Sequence, residues 1–322
     1  MPIRNDYSEA VLRKLHRLLQ GCLTELTITG TILRTATANP TSALTPNSRM
    51  SKPVFYTFTM SVWSAVPELA LIELGLADQF DRKNIDLMKG ENFNPEFLKI
   101  NPNATLPTIS ANGTQYLNTI DVTDFLVKTA SVKVTPRTDI TTEIHKDQYD
   151  PNVAMVIARS DEELTAKASG FPKVFLETRL NGIKSWAATA EAKPYKALFD
   201  AKIAAAEGIL AIYGYVAPVD VRQSFFKNGQ FLYSNIHQFY SQTLPSAIGT
   251  GPFIAGATPG EDDFHVGAWL AHIAAVFGAT TISEGLAALE KGFGEPVPPK
   301  VIAYYNAWSE RPSFQKVYER LH

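Results

Sequence analysis

The chain has 322 residues, long for one domain and suited to two packed ones. Its 45% hydrophobic and 19% charged residues fit a soluble globular protein with a large core. A net charge of -2 gives no electrostatic case for nucleic acid or an acidic membrane, and no apolar run approaches the ~20 residues of a membrane helix. The single cysteine, Cys22, excludes an internal disulfide and a cysteine-rich metal cluster. The histidines show no zinc spacing, with His265 and His272 two helical turns apart, so no metal is expected. A reducing cytoplasm is the default location.

Residues 1–50 are read as a disordered or dispensable extension. Tyr7 to Leu19 could form a short basic amphipathic helix, and Thr27 to Arg49 is polar, rich in Thr and Ser, and aperiodic. The Arg, Ser and Thr bias resembles a mitochondrial transit peptide, against which stand Glu9 and Glu25. The plainer reading makes Met50 the functional start.

Order is expected from Lys52. Val54 to Phe58 reads as a strand, and a turn at Met60-Ser61 leads into a helix that ends near Gly75. Pro67 belongs in a first turn, which makes Ser64 the expected N-cap. The helix is apolar nearly all round and should be buried on both sides. Phe80 to Leu87 reads as a second strand, followed by a loop from Lys89 to Asn94 and a helical turn at Pro95 to Lys99. Asn112-Gly113 between Thr108-Ile109 and Gln115-Leu117 is a hairpin signal. Asn118-Thr119 then stands where a helix N-cap would. Taken alone, the Leu106-Pro107 bond reads as trans, since only ~5–6% of such bonds in folded proteins are cis.

This first part, residues 51–130, reads as a thioredoxin-like α/β domain. A polar connection from Lys128 to Thr142 separates it from an all-helical domain at residues 140–322. There, Ser160-x-x-Glu163 is a capping box. Helices are expected at Pro172 to Thr189, Pro194 to Tyr213, Val219 to Thr243, Glu261 to Phe277, Ile282 to Phe293 and Pro298 to His322, the last broken at Arg311-Pro312. Glu261-Asp262-Asp263-His265 reads as acidic helix-start chemistry rather than a metal site. Trp186, Phe225, Phe226 and Tyr240 could line a hydrophobic cleft, but at helical spacing they read as core.

Three blocks in this order resemble the cytosolic glutathione S-transferase superfamily, in particular its fungal-type members. They are the stretch Asn101 to Pro107 with Asn118-Thr119, the segment Gly251 to Trp269, and the ending Arg311-Pro312-Ser313-Phe314-Gln315-Lys316-Val317. The resemblance runs from about Pro53 to His322. It implies a thioredoxin-like glutathione-binding domain followed by an all-helical glutathione-transferase domain, a homodimer, and glutathione as co-substrate with no other cofactor. The second substrate would be a small hydrophobic electrophile, with which glutathione is conjugated or exchanges its thiol. Ser61, before the first helix, would be the catalytic hydroxyl that holds the thiolate, with Tyr56 as the alternative. The resemblance also implies a cis bond at Pro107, with the Leu106 backbone turned toward glutathione and Thr119 receiving the γ-glutamyl carboxylate. By position, Asn92, Thr105 and Asn118 would also face glutathione. At these positions, however, charged or longer partners are replaced: Asn92 and Phe93 stand for a basic pair, Thr105 for a glutamine, and Asn118 for an acid. The dilution favours the alternative of a ligand- or partner-binding protein on the same fold.

Overall fold

The computed structural model describes residues 52–322. The readings for residues 1–49, Cys22 among them, lie outside these described residues.

Strand β1 (Val54–Thr57) pairs in parallel with β2 (Asp81–Asn84) and antiparallel with β3 (Thr108–Ala111), which pairs antiparallel with β4 (Thr114–Tyr116). The resulting order, β2-β1-β3-β4, is that of a thioredoxin-like sheet. The β3–β4 hairpin closes through Asn112 and Gly113, both left-handed at φ 51° and 80°, as the Asn-Gly signal requires. Strand β2 is shorter than the expected Phe80–Leu87. The Asp86 side chain accepts from the Met88 and Lys89 N–H groups, bending the chain away from the sheet.

Helix α1 (Val62–Glu73) follows β1 and is buried over most of its length. Its N-cap is Ser61, not the expected Ser64. The Ser61 oxygen accepts from the Ser64 N–H at 3.2 Å, which leaves Pro67 in the helix's second turn. One missing backbone bond there is offset by packing on both sides, against α3 (Thr119–Thr129) and α11 (Glu261–Val276). A short helix α2 (Pro95–Leu98) fills the connection before β3.

Beyond α3 the chain is helical: α4 (Asp139–Ile144), α5 (Pro151–Val156), α6 (Asp161–Ala168), α7 (Phe171–Ala187), α8 (Lys196–Tyr213) and α9 (Val219–Gln238). A π-helical segment, Phe239–Thr243, carries α9 into α10 (Leu244–Ala247). After α11 come α12 (Gly285–Phe293), α13 (Pro299–Ser309) and α14 (Pro312–Val317). Helix α4 begins inside the stretch expected to be a plain polar connection. Asp262 at the start of α11 explains this, because it accepts from the Thr138 N–H and from the hydroxyls of Thr138 and Thr141. At Ser160 the box is half formed. The Ser160 hydroxyl accepts from the Glu163 N–H, but the Glu163 carboxylate turns to Arg159.

Helix α11 is the centre of the molecule, buried from Glu261 through Ala274. Its three leading acids each tie down a different piece of backbone. Glu261 accepts from the Arg137 N–H, and Asp262 holds the start of α4. Asp263 accepts from the Ile254, Ala255 and Gly260 N–H groups. Gly260 is the N-cap. Gly267 is required by packing: a Cβ there would lie 2.6 Å from the Trp308 indole nitrogen. Phe225 and Tyr240 are fully buried core, and Trp186 and Phe226 pack partly buried against core clusters. At the far end, Arg311 donates to the Glu73 carboxylate at 2.7 Å, and Ser313 also donates to it, which locks α14 onto the end of α1.

Candidate functional site

Strand polarity gathers one set of segments at a single end of the sheet. β1 runs toward Ser61, antiparallel β3 begins just after Leu106-Pro107, and β4 runs toward Asn118-Thr119. The β1–α1 turn, the loop before β3 and the N-terminus of α3 therefore share that end. The Leu106-Pro107 bond is cis, in line with the resemblance and against the reading from base rate alone.

The loop that carries Pro107 is held by a residue the sequence reading passed over. Asn101 is 0% exposed, and its amide N–H groups are shared among the Thr105 carbonyl (3.0 Å) and hydroxyl (3.1 Å), the Thr108 hydroxyl (2.8 Å) and the Leu117 carbonyl (3.2 Å). Its own oxygen accepts from the Asn103 N–H at 3.0 Å. One side chain thus joins the Pro107 loop, the start of β3 and the residue before the α3 cap. Its only sequence signal was the Asn101-Pro102 pair at the head of the first block.

The expected glutathione contacts divide into two groups. Asn92 is buried, donates to the Ala104 carbonyl and accepts from Arg179 on α7 at 3.2 Å. The same stretch of α7 presses on this loop so closely that a Cβ at Gly182 would lie 1.9 Å from the Lys89 carbonyl oxygen. Thr105 donates to the Leu117 carbonyl at 3.2 Å. Asn118 is the N-cap of α3, accepting from the Asp121 N–H at 2.8 Å and donating back to the Asp121 carboxylate at 2.7 Å. These three side chains are committed to the fold. Phe93 is core, with the Arg179 guanidinium over its ring.

The second group is uncommitted. Among the described residues, no hydrogen bond engages the N–H or C=O of Leu106. Thr119 is the first residue of α3, and its hydroxyl has no partner among the described residues. The first-turn N–H groups of α3 at Thr119 and Ile120 have no intrahelical acceptor. Ser61 accepts a capping bond through its oxygen, so its hydroxyl proton remains to donate at the positive end of α1. Tyr56, by contrast, is buried in β1 with its ring edge-on to Phe97 at 5.5 Å and under Lys83.

Beside the β1–α1 turn lies a cavity of about 800 Å³, with Thr59 and Met60 on one wall and α11 and the C-terminal residues on the other. Its surfaces are mainly apolar, including Met155, Val276 and Leu321. This cavity was not legible in the sequence, because its walls come from five separate stretches.

Behind the first turn of α1, the His145 and His265 rings are joined by a 2.8 Å N–N hydrogen bond, and Trp63 lies 4.1 Å from the His145 ring. Burial drives His145 down to about 3 and His265 well below the ordinary value, so both are neutral. A histidine with a folded pKa below its unfolded value of 6.5 stabilises fully above pH 6.5, and that contribution is lost as pH falls toward 3. Relative to His145→Gln, the wild type is expected to lose about 1.4 kcal/mol per pH unit below 6.5. Urea melts of both proteins across that range read the difference directly. Asp150 and Glu261, which burial raises to about 7, act with the opposite sign but cancel between the two proteins. Parallel pH profiles would contradict a neutral buried pair.

No family model matches the sequence. In structure the chain is similar to Gtt2 from Saccharomyces cerevisiae, at 18% identity over 82% of this chain and 99% of that one, with a TM-score of 0.46. It is also similar to glutathione transferase E6 from Drosophila melanogaster, at 16% identity over 83% and 91%, TM-score 0.43. Glutathione transferase F7 from Populus trichocarpa matches at 15% identity over 83% and 98%, TM-score 0.44. Likenesses this loose add nothing to the topology described above.

Proposed function

We propose that the chain is a glutathione transferase, joining the glutathione sulfur to a small hydrophobic electrophile. The observation that supports this is the convergence of uncommitted hydrogen-bonding groups at one end of the sheet. The unpaired Leu106 backbone suits the cysteinyl backbone of glutathione, as a strand edge pairs with an extended peptide. The Thr119 hydroxyl and the first N–H groups of α3 suit a carboxylate. The Ser61 hydroxyl, at the positive end of α1, suits a thiolate, lowering its pKa by donating to the charged form. The apolar cavity against Thr59 and Met60 would hold the electrophile next to that sulfur.

The roles follow from the chemistry of each group. Leu106 and Thr119 fix the tripeptide, so the sulfur is delivered at one place. Ser61 stabilises the thiolate before attack. The apolar walls exclude water from the nucleophile. We further propose a homodimer and a cytoplasmic setting, the choices that accompany this reading.

A second reading has its own support. Asn92, Thr105 and Asn118 are all committed to internal hydrogen bonds, so side-chain recognition of glutathione is thin. A protein that binds apolar ligands in the same cavity without turnover would have this arrangement.

A conjugation assay with chlorodinitrobenzene separates the two. The transferase reading expects a rate that saturates with glutathione and stands above the protein-free rate. A rate equal to the protein-free rate at every glutathione concentration, with an apolar fluorescent probe still binding, would leave only the second reading.

A further inference from the structure

The stretch that ends in Leu106-Pro107 is supported from two sides. Asn101 holds it within the α/β domain, and helix α7 holds it from the helical domain. One terminal guanidinium nitrogen of Arg179 donates to the Leu87 carbonyl and, at 3.2 Å, to the Asn92 side-chain oxygen. The guanidinium also lies over the rings of Phe93, at 5.2 Å, and Phe175, at 5.9 Å, so stacking and hydrogen bonding together fix its orientation. Asn92 is 1% exposed and passes the restraint on by donating to the Ala104 carbonyl. Ala104 stands two residues before Leu106 in left-handed backbone at φ 57°, a conformation that a residue with a Cβ keeps where its surroundings hold it. Apolar packing acts in the same sense, since Ala104 and Phe93 share a buried cluster with Ile183 of α7 and Phe199 of α8. The backbones meet closely as well: a Cβ at Gly90, itself at φ 66°, would lie 3.2 Å from the Ile183 nitrogen.

We propose that Arg179 is a positioning residue for glutathione: reaching from the helical domain through Asn92 and Ala104, it sets where the Leu106 backbone stands. The inference rests on the glutathione reading above for the identity of the ligand. Pairing of a peptide with the Leu106 N–H and C=O tolerates only a few tenths of an ångström, so a loop that drifts loses these bonds before it loses its fold. The effect is confined to the peptide-binding edge. Ser61 belongs to the start of α1, and the walls of the apolar cavity come from the β1–α1 turn, the helical domain and the C-terminal residues, none of them part of this loop.

Calorimetric titration of glutathione tests this, with binding of Nile red to the apolar cavity as the control. Arg179→Met, which keeps an unbranched side chain over Phe93, is expected to weaken glutathione ~10-fold and to change Nile red affinity less than ~2-fold. Arg179→Lys keeps one charged donor and should weaken glutathione ~3-fold, which reads the role even where the methionine variant does not fold. In an Asn92→Ala background, itself ~10-fold weaker, Arg179→Met should cost less than a further ~2-fold, because the two side chains act in one chain of contacts. Unchanged glutathione affinity in both Arg179 variants would overturn the proposal. So would a full further ~10-fold loss in the Asn92→Ala background, which would place the guanidinium on the ligand itself. Equal losses of glutathione and Nile red would mark general damage to the fold and overturn it too. If wild type takes no glutathione, the glutathione reading fails, and hydrogen exchange then decides the role of Arg179. The Ala104 N–H, held by the Asn101 carbonyl at 3.0 Å, should exchange ~10-fold faster in Arg179→Met, with the Trp269 N–H of α11 unchanged. Equal Ala104 rates in the two proteins would overturn the positioning role.

Discussion

Asn101→Ala is expected to lower stability by about 3 kcal/mol, because one buried amide is shared among acceptors on three segments, which would keep only the weaker links through the Thr105 and Thr108 hydroxyls. The Thr105 and Leu117 carbonyls would be left without it at the centre of the site. Asn101→Asp sharpens the test. It preserves the shape and the acceptor for the Asn103 N–H, yet it places a carboxylate against two carbonyl oxygens. It should cost at least as much as alanine. Urea unfolding of the three proteins reads both values, and a loss below about 1 kcal/mol in both variants would show that the loop is held by packing alone.

Ser61→Ala should divide activity from stability. Its cap to the Ser64 N–H is a single bond, so stability should fall by about 1 kcal/mol. Turnover should fall ~100-fold, because the donor to the thiolate is lost while the peptide-binding groups at Leu106 and Thr119 remain. The loss should appear in kcat, with the glutathione KM little changed. Tyr56→Phe is the control. The Tyr56 ring packs against Phe97 within the sheet, and removing its hydroxyl should leave turnover near wild type. A collapse in Tyr56→Phe with Ser61→Ala intact would move the thiolate donor to Tyr56.

The parts of the molecule that were legible in the sequence depend on residues close along the chain. The Asn112-Gly113 hairpin, the Gly75 stop and the break at Arg311-Pro312 are all set within a few positions, and each stands where it was read. The cap of α1 was misassigned because the local rule for Pro67 ignored what packing against α3 and α11 tolerates. Helix α4 and the His145–His265 pair were not legible, since their partners lie more than a hundred residues away. At the candidate site the sequence named segments that the sheet brings to one end, but it did not show which side chains bond within the fold. Leu106 and Thr119 stand uncommitted, as a binding edge needs. Asn92 and Thr105, which matched by position alone, face inward to a carbonyl each. Alignment by position cannot tell a side chain that faces a ligand from one that ties its own loop. Only the hydrogen-bond partners make that distinction.

Glutathione binding at this edge is tested by calorimetric titration of glutathione into wild type and Thr119→Val. One glutathione per chain is expected in wild type, with binding ~10-fold weaker in Thr119→Val, the loss of one hydrogen bond to a charged carboxylate. No heat of binding at millimolar glutathione, or equal affinity in the two proteins, would contradict it.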